Sequence, residues 1–440
     1  MPGVQEVAVA DRDLMGRISS ARALSDDLFR LVRTHAVYDR PIPERHRIIF
    51  YIGHLEAFDW NLLGERVLGL KPFHLEFDRL FAFGIDPVGG GLPTDQPSDW
   101  PSLEQVREYV ARTRLLLDEN LATAFASSSQ ADDLSLLLNV AVEHRLMHVE
   151  TLAYMLHQLP INRKIPEADP AEPDCPPVAP TMIEIPAGEV TLGLSRDGQN
   201  FGWDNEFEMH TVEVPAFEID RYKVTNQQYL EFMAAGGYGN RLLWSDDDWE
   251  WRSSSGISHP VFWRYADGHW RNRTMFGEIA LPMNWPVYVS HAEASAYARW
   301  AGKELPSEAQ WHRAAYGTPS GDERSYPWGE GEPDPSRGNF DCRRWNPVAV
   351  NAFPRGQSAF GVDGMLGNGW EWTSSIFAPF PGFEPAPFYP GYSANFFDGK
   401  HFVMKGGSAR TARCMLRPTF RNWFQAQYPY VYAGFRCVGR

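Results

Sequence analysis

Seven prolines fall between residues 160 and 180 (PINRKIPEADPAEPDCPPVAP), and they constrain the fold more than any other stretch. Each removes a backbone donor and locks φ, so neither a helix nor a strand ladder can run through. The chain must therefore fold in two parts. Its 440 residues suffice for both, because a single hydrophobic core stops growing well below that size. The expected organisation is a domain over 1–160, a linker over 161–180 and a second domain over 181–440.

The two sides are patterned differently. Residues 11–37 set Leu, Ile, Ala and Val at helical spacing with charges between them, and 45–68 read likewise. Further helices are predicted over 102–125, opened by the S-L-E-Q capping pattern at Ser102, and over 132–158, opened near Asp132 or Asp133. Four long helices make a bundle. The Gly- and Pro-rich stretch 84–101 is too long for a bundle turn and reads as a functional loop. Beyond the linker come short β-like runs, MIEIPAGEVTLG and HTVEVPAFEIDRYKVT, with short helices near 225–235 and 291–301. That pattern predicts an α+β domain rich in irregular structure. The 16 Trp, 17 Tyr and 27 Phe exclude disorder and fit loops pinned by large rings in this half.

A net charge of −15 repels polyanions, so neither nucleic acid nor an anionic membrane surface is an expected partner, and a small-molecule substrate is. The four cysteines are widely spaced and form no CxxC pair, which argues against a disulfide framework or thiolate zinc site and fits a reducing cytoplasm. The N-terminus has no basic stretch followed by an apolar run, and no run of about 18 apolar residues occurs, so neither export nor membrane insertion is expected.

The segment AVEHRLMHVETLAYMLHQLP places His144 and His148 four residues apart, which on a helix stacks the imidazoles on one face about 6 Å apart. That spacing suits one metal ion. His54, in YIGHLEAFDW, offers a third nitrogen from another helix, and bundle cores commonly house such sites. The bland alternative is packing. Against it stand the apolar surroundings of the pair, a third mid-helix histidine, and Glu150 as an acceptor for an imidazole N–H. Three neutral imidazoles leave coordination positions open and suit zinc, iron, copper or nickel. His157 and His74 are fallback ligands.

From 181 to 440 the stretches IPAGEVTLG, FEIDRYKVTNQQYLEFM, WPVYVSHAEASAYARWAGKELPSEAQWHRAA, YPWGE, GMLGNGWEWTSS, MKGGSA and AGFRC occur in order. They resemble the formylglycine-generating-enzyme fold, a C-type-lectin-like α+β domain. The first half, through His54 and the H-x3-H-x-E of His144, His148 and Glu150, resembles DinB-like four-helix domains. Together the halves resemble the sulfoxide synthases of ergothioneine and ovothiol biosynthesis and their selenoneine synthase branch. Formylglycine chemistry is not implied, because GGSARTARCMLRP holds only Cys414, with Thr411 and Leu416 where the cysteine pair is expected.

The resemblance implies an Fe2+ enzyme that consumes O2 and acts on hercynine, with His54, His144 and His148 as ligands and a site that draws on both halves. It implies an assisting tyrosine from PFYPGYSANFF, Tyr389 or Tyr392, with Tyr389 favoured as proton or hydrogen donor. In RPTFRNWF it implies that Asn422 binds the substrate carboxylate and that Trp423 faces the pocket. Trp423, Phe424 and Trp370 could wall a quaternary ammonium, whose charge is attracted by ring quadrupoles, whereas Trp372 is assigned to packing.

Three departures bear on the donor. Met147 stands where thiol-using members carry glutamine, Phe424 where they carry an acid, and LFAFGIDPVGGG lacks their paired arginines. An amino-acid donor would leave buried charges unpaired, at several kcal/mol. A neutral selenosugar or thiosugar fits better, with the 84–101 loop helping to form its pocket. The alternatives are an ergothioneine-type enzyme using cysteine or γ-glutamylcysteine, a non-catalytic ligand-binding module, and a zinc-dependent thiol transferase.

Overall fold

The computed structural model describes residues 3–82, 92–126, 131–173, 175–198 and 200–439, excepting the side chains of 3–13, 125–126 and 131–133. Residues 84–91 of the expected loop and the side chains of Asp132 and Asp133 lie outside the described residues. The fold is α+β, and the chain divides into two units, Met1–Glu167 and Ala168–Arg440. No helix among the described residues is long and apolar enough to cross a membrane.

In the first unit, α1 spans Gly3–Arg30, α2 Ile48–Asp59, α3 Leu75–Leu80, α4 Leu103–Ala126 and α5 Ala131–Gln158. α1 packs along α5 and α2 along α4, and α2 also meets α5. The Ser102 signal is realised: its hydroxyl accepts from the Gln105 N–H (3.2 Å), and Gln105 Oε1 accepts from the Ser102 N–H (3.0 Å). α2 passes directly into a π-helix, Trp60–Val67, closed by a bond from Leu68 N–H to the Leu63 carbonyl (2.9 Å). Short α3 was not legible. His74 caps it, Nδ1 accepting from the Phe77 N–H (3.3 Å).

α2 is apolar nearly all round, yet it buries Glu56 and Asp59. A buried carboxylate requires a cation, and α5 supplies one. Arg145, 2% exposed, meets Glu56 at 3.0 Å and Asp59 at 2.7 Å and donates to the Leu55 carbonyl (3.1 Å). Arg114 of α4 adds a bond to Glu56 (2.7 Å) and a bidentate pair to Asp26 of α1 (2.7 and 2.8 Å). One ionic network thus joins all four long helices. Burial works against a charge on Glu56, but Arg145 and Arg114 bring it down to about 2.

The proline-rich segment is bonded on each side of the division. Ile165 N–H donates to the Leu31 carbonyl (2.7 Å), and the Arg163 carbonyl accepts from the Arg33 N–H (3.0 Å). On the other side the Asp169 carboxylate accepts from the Trp345 and Asn346 N–H groups (2.9 and 3.2 Å), and the Pro176 carbonyl accepts from Asn284 and Asn351 (3.1 Å each). Side chains thus satisfy carbonyls that no ladder could.

In the second unit, β1 (Met182–Ile185) pairs with β4 (Phe217–Asp220) and β2 (Gly188–Leu192) with β3 (His210–Val214), both antiparallel. β5 (Trp263–Ala266), β6 (His269–Arg273) and β7 (Glu278–Ala280) form a meander. The main sheet has the order β10-β9-β8-β11, from β8 (Trp370–Ile376), β9 (His401–Lys405), β10 (Asn422–Gln425) and β11 (Ala433–Gly434), the last parallel to β8. Helices α6 (Asn226–Ala234), α8 (His291–Trp300) and α9 (Glu308–Tyr316) open with capping boxes at Thr225, Ser290 and Ser307, and Ser245 caps α7 (Asp246–Ser254). A core around Trp311, Tyr316, Met365 and Leu416 backs the sheet. Trp372 is fully buried, and its indole N–H donates to the Val289 carbonyl (2.8 Å), a packing role.

Arg145→Met leaves two carboxylates buried without their cation and should cost about 3–5 kcal/mol. Chemical denaturation followed by helical circular dichroism measures that loss, and adding Glu56→Gln should recover part of it.

Candidate metal centre

His54 sits in mid-α2, and His144 and His148 lie one turn apart on α5, the helix that Arg145 docks against α2. The three imidazoles are 4–5% exposed, and one donor atom from each lies within 4.8 Å of the other two. Among the described residues this is the only such grouping of three or more His, Cys, Asp or Glu side chains. His54 Nε2 and His148 Nε2 are 3.3 Å apart. Two nitrogens bound about 2.1 Å from one ion stand about 3.0–3.4 Å apart, so the observed separation fits shared coordination.

Aromatic rings hold the ligands in place. Phe50, His54 and Phe58 recur every four residues along α2, with Phe50 stacked on His54 (4.8 Å between centroids) and Phe58 on His144 (3.5 Å, planes 10° apart). Tyr51 lies 6.0 Å from His148. His54 Nδ1–H donates to the Phe81 carbonyl (2.7 Å), which leaves the Nε2 lone pair directed at the other two histidines. This acceptor is a main-chain group after α3. Glu150, expected to accept from an imidazole, is buried on α5 two residues past His148.

Burial lowers the His54 pKa to about 4, against the Phe81 bond, and His46 and Arg145 lower it further. Burial also pushes His144 and His148 well below the ordinary value, with the neighbouring imidazoles and Arg145 adding to it. All three are therefore neutral at pH 7. That is the form a metal ion requires. The residues present fit a bound ion.

Met147 is half-buried, three residues from His144 and so on a neighbouring line of the same helix face. His157 is buried, and neither it nor the capping His74 belongs to the cluster. The described half of the 84–101 loop lies beside the cluster. Asp95 accepts from Arg47 Nε (2.9 Å), Trp100 Nε1 (2.8 Å) and Arg40, while Trp100 faces Phe81 (6.3 Å) and Phe50 (5.9 Å). The Phe50–His54–Phe58 period was readable in the sequence. Phe81 was not, because it is 27 residues from its partner.

The residues singled out in the second unit are arranged by β10. Strand alternation puts Asn422 and Phe424 on one face and Trp423 on the other. Trp423 stacks on Phe377 (4.2 Å, 6°) and meets Phe396 (5.6 Å) and Tyr392 (5.4 Å). Phe424 stacks on Tyr428 (5.1 Å), which meets Tyr430 (5.3 Å). Trp370 is buried, 6.0 Å from Phe420. Tyr392 is buried against Trp203 (4.0 Å), and Tyr389, 5.8 Å from it, is half-buried. Asp204 clamps the segment bearing both tyrosines, accepting from Ser393 Oγ (2.5 Å) and the Ala386 N–H (3.4 Å). After the GGS motif, Leu416 belongs to the core, Thr411 Oγ1 accepts from the Ser408 N–H (2.8 Å), and Cys414 is a half-buried thiol.

A sulfatase-modifying factor enzyme 1-like domain matches residues 167–440. Hercynine oxygenase of Mycolicibacterium smegmatis is 37% identical over 375 residues, covering 82% of this chain and 83% of that protein. Hercynine oxygenase of Mycolicibacterium thermoresistibile is 39% identical over 304 residues, 68% of this chain and 67% of that one. Ergothioneine biosynthesis protein 1 of Neurospora crassa is 28% identical over 487 residues; the match takes in 91% of this chain but 54%, about half, of the fungal protein.

His148→Ala should remove most of the bound metal and keep the helical signal. Metal analysis beside circular dichroism checks this, and full occupancy in the variant would refute the ligand set. Acid should also weaken the metal-free protein. The folded imidazoles resist protonation while the unfolded ones accept it near 6.5, so stability present above that pH is lost as pH falls toward 4. At pH 5, about 1.5 pH units below, His54 alone contributes a loss of about 2 kcal/mol, readable in denaturation curves at pH 7 and 5.

Proposed function

The chain belongs to the ergothioneine sulfoxide synthase-like family and carries a sulfatase-modifying factor enzyme 1-like domain, and we propose that it is a non-heme iron(II), O2-dependent enzyme joining selenium or sulfur to the imidazole of hercynine. The observation that carries this reading is the buried cluster of His54, His144 and His148. These three would hold the iron. When bound, iron supplies the redox chemistry with O2 that oxidation of an imidazole carbon requires, and three protein ligands leave positions open. The likeness to the mycobacterial hercynine oxygenases supports hercynine as acceptor.

In this proposal the aromatic surfaces recognise the betaine, whose quaternary ammonium has no N–H to donate and is held by ring faces. Trp423, with its stacked neighbour Phe377, is the principal wall, and Trp370 is buried in the sheet; Asn422, the expected carboxylate partner, is on the opposite face of β10 from that wall. Tyr389 is the proton donor. Being half-buried it can be reached, whereas Tyr392 is buried against Trp203 and positions its neighbour.

The proposed donor is neutral, a selenosugar, which makes the enzyme a selenoneine synthase. Phe424, stacked on Tyr428, offers a ring face where an amino-acid donor's ammonium would need an acid. A charged donor in such surroundings loses several kcal/mol of solvation without a partner. The name of the fungal relative favours a second reading, an ergothioneine-type sulfoxide synthase that takes cysteine or γ-glutamylcysteine.

Iron-loaded protein incubated in air with hercynine and an equal mixture of a selenosugar, cysteine and γ-glutamylcysteine separates the readings by product mass. The selenium adduct should dominate. A dominant sulfoxide would establish the second reading instead, and a protein that consumes no O2 and yields no adduct would be a binding module.

A further inference from the structure

We propose that Gly53 and Phe81 together position His54, fixing which of its nitrogens is offered to the metal. This rests on the metal-site reading above and adds two residues that bind nothing themselves. Gly53 lies inside α2, immediately before His54, where glycine lowers helix stability by about 1 kcal/mol relative to alanine. The reason for a glycine is steric. A Cβ at this position would lie 2.5 Å from Cγ, Cδ2 and Cε2 of Phe81, far inside non-bonded contact distance.

Four rings surround the Phe81 ring. It is fully buried, with Phe77 edge-on at 5.5 Å, Tyr109 at 6.1 Å, Trp100 at 6.3 Å and Phe50 at 6.4 Å. A side chain at position 53 must therefore push the Phe81 main chain, and its carbonyl is the group that accepts from His54 Nδ1–H at 2.7 Å. That bond keeps the proton on Nδ1 and the lone pair on Nε2, the atom 3.3 Å from His148 Nε2. Gly53 thus permits the close approach and Phe81 supplies the acceptor. Without the carbonyl the imidazole would be free to move its proton to Nε2 and present the wrong nitrogen.

The test uses the full chain and two readouts, neither of them activity. Nitrogen-15 spectra of labelled histidines report the His54 tautomer in metal-free protein, and anaerobic iron(II) titration reports affinity. In Gly53→Ala the Nδ1–H form should be lost and iron affinity should fall about 10- to 100-fold. Adding Phe81→Ala removes the ring but keeps a main-chain carbonyl, so Gly53→Ala/Phe81→Ala should regain both the tautomer and near wild-type affinity. A merely structural glycine predicts no such rescue. The proposal is overturned if Gly53→Ala keeps the tautomer, or if the double variant stays as weak as the single one or fails to fold. Should the unmodified protein bind no iron, the metal reading fails by itself, and the tautomer comparison still decides the coupling.

Discussion

The guanidinium of Arg145 lies where water does not reach, and the arrangement of the first unit follows from its needs. A buried cation without counter-ions is untenable, so α5 can dock only where Glu56 and Asp59 of α2 receive it. Arg145 directly follows His144, and Glu56 lies two residues past His54. The register that satisfies the charges is therefore the register that turns His144 and His148 toward His54. Arg114 extends the constraint to α4 and, through Asp26, to α1. An apolar contact would tolerate sliding by part of a turn. A hydrogen-bonded ion pair does not, because sliding leaves charges unpaired.

Next to this charged layer lies a neutral one. Burial keeps the three imidazoles unprotonated, and stacking by Phe50 on His54 and by Phe58 on His144 limits the rotation of those two. Both effects favour metal binding, since neither a proton nor a rotamer has to be given up when the ion arrives. The same burial makes the empty site sensitive to acid. The layers are compatible because the arginines are paired, although Arg145 still contributes to depressing the histidines.

The second unit uses a different economy of polar groups. Its loops are held by side chains that reach main-chain carbonyls, by the buried pair of Arg436 and Glu371 (2.6 Å), and by stacked rings. Asp204 and β10 give the singled-out residues defined positions within this framework. The strand alternation at Asn422, Trp423 and Phe424 separates residues that adjacency in the sequence had grouped. Leu416, seated in the core, shows that the segment after the GGS motif serves packing.

The sequence by itself determined whatever depends on neighbours along the chain. Helical periodicity put His144 and His148 on one face, Ser102 announced a cap that forms, and seven prolines enforced a break in regular structure. The signals that open α7 and α9 are also local, Ser245 and Ser307 each standing at an N-cap, but helices of nine residues are too short for apolar periodicity to mark them amid loops. Only the tertiary structure decided which group fixes the His54 tautomer, why position 53 is glycine, and how Arg145 sets the helix register. Those outcomes are contacts between residues distant in sequence: a carbonyl 27 positions from its imidazole and a guanidinium 86 from its carboxylate. Hydrophobic periodicity does not encode them, because it says which face is buried and nothing about what that face meets.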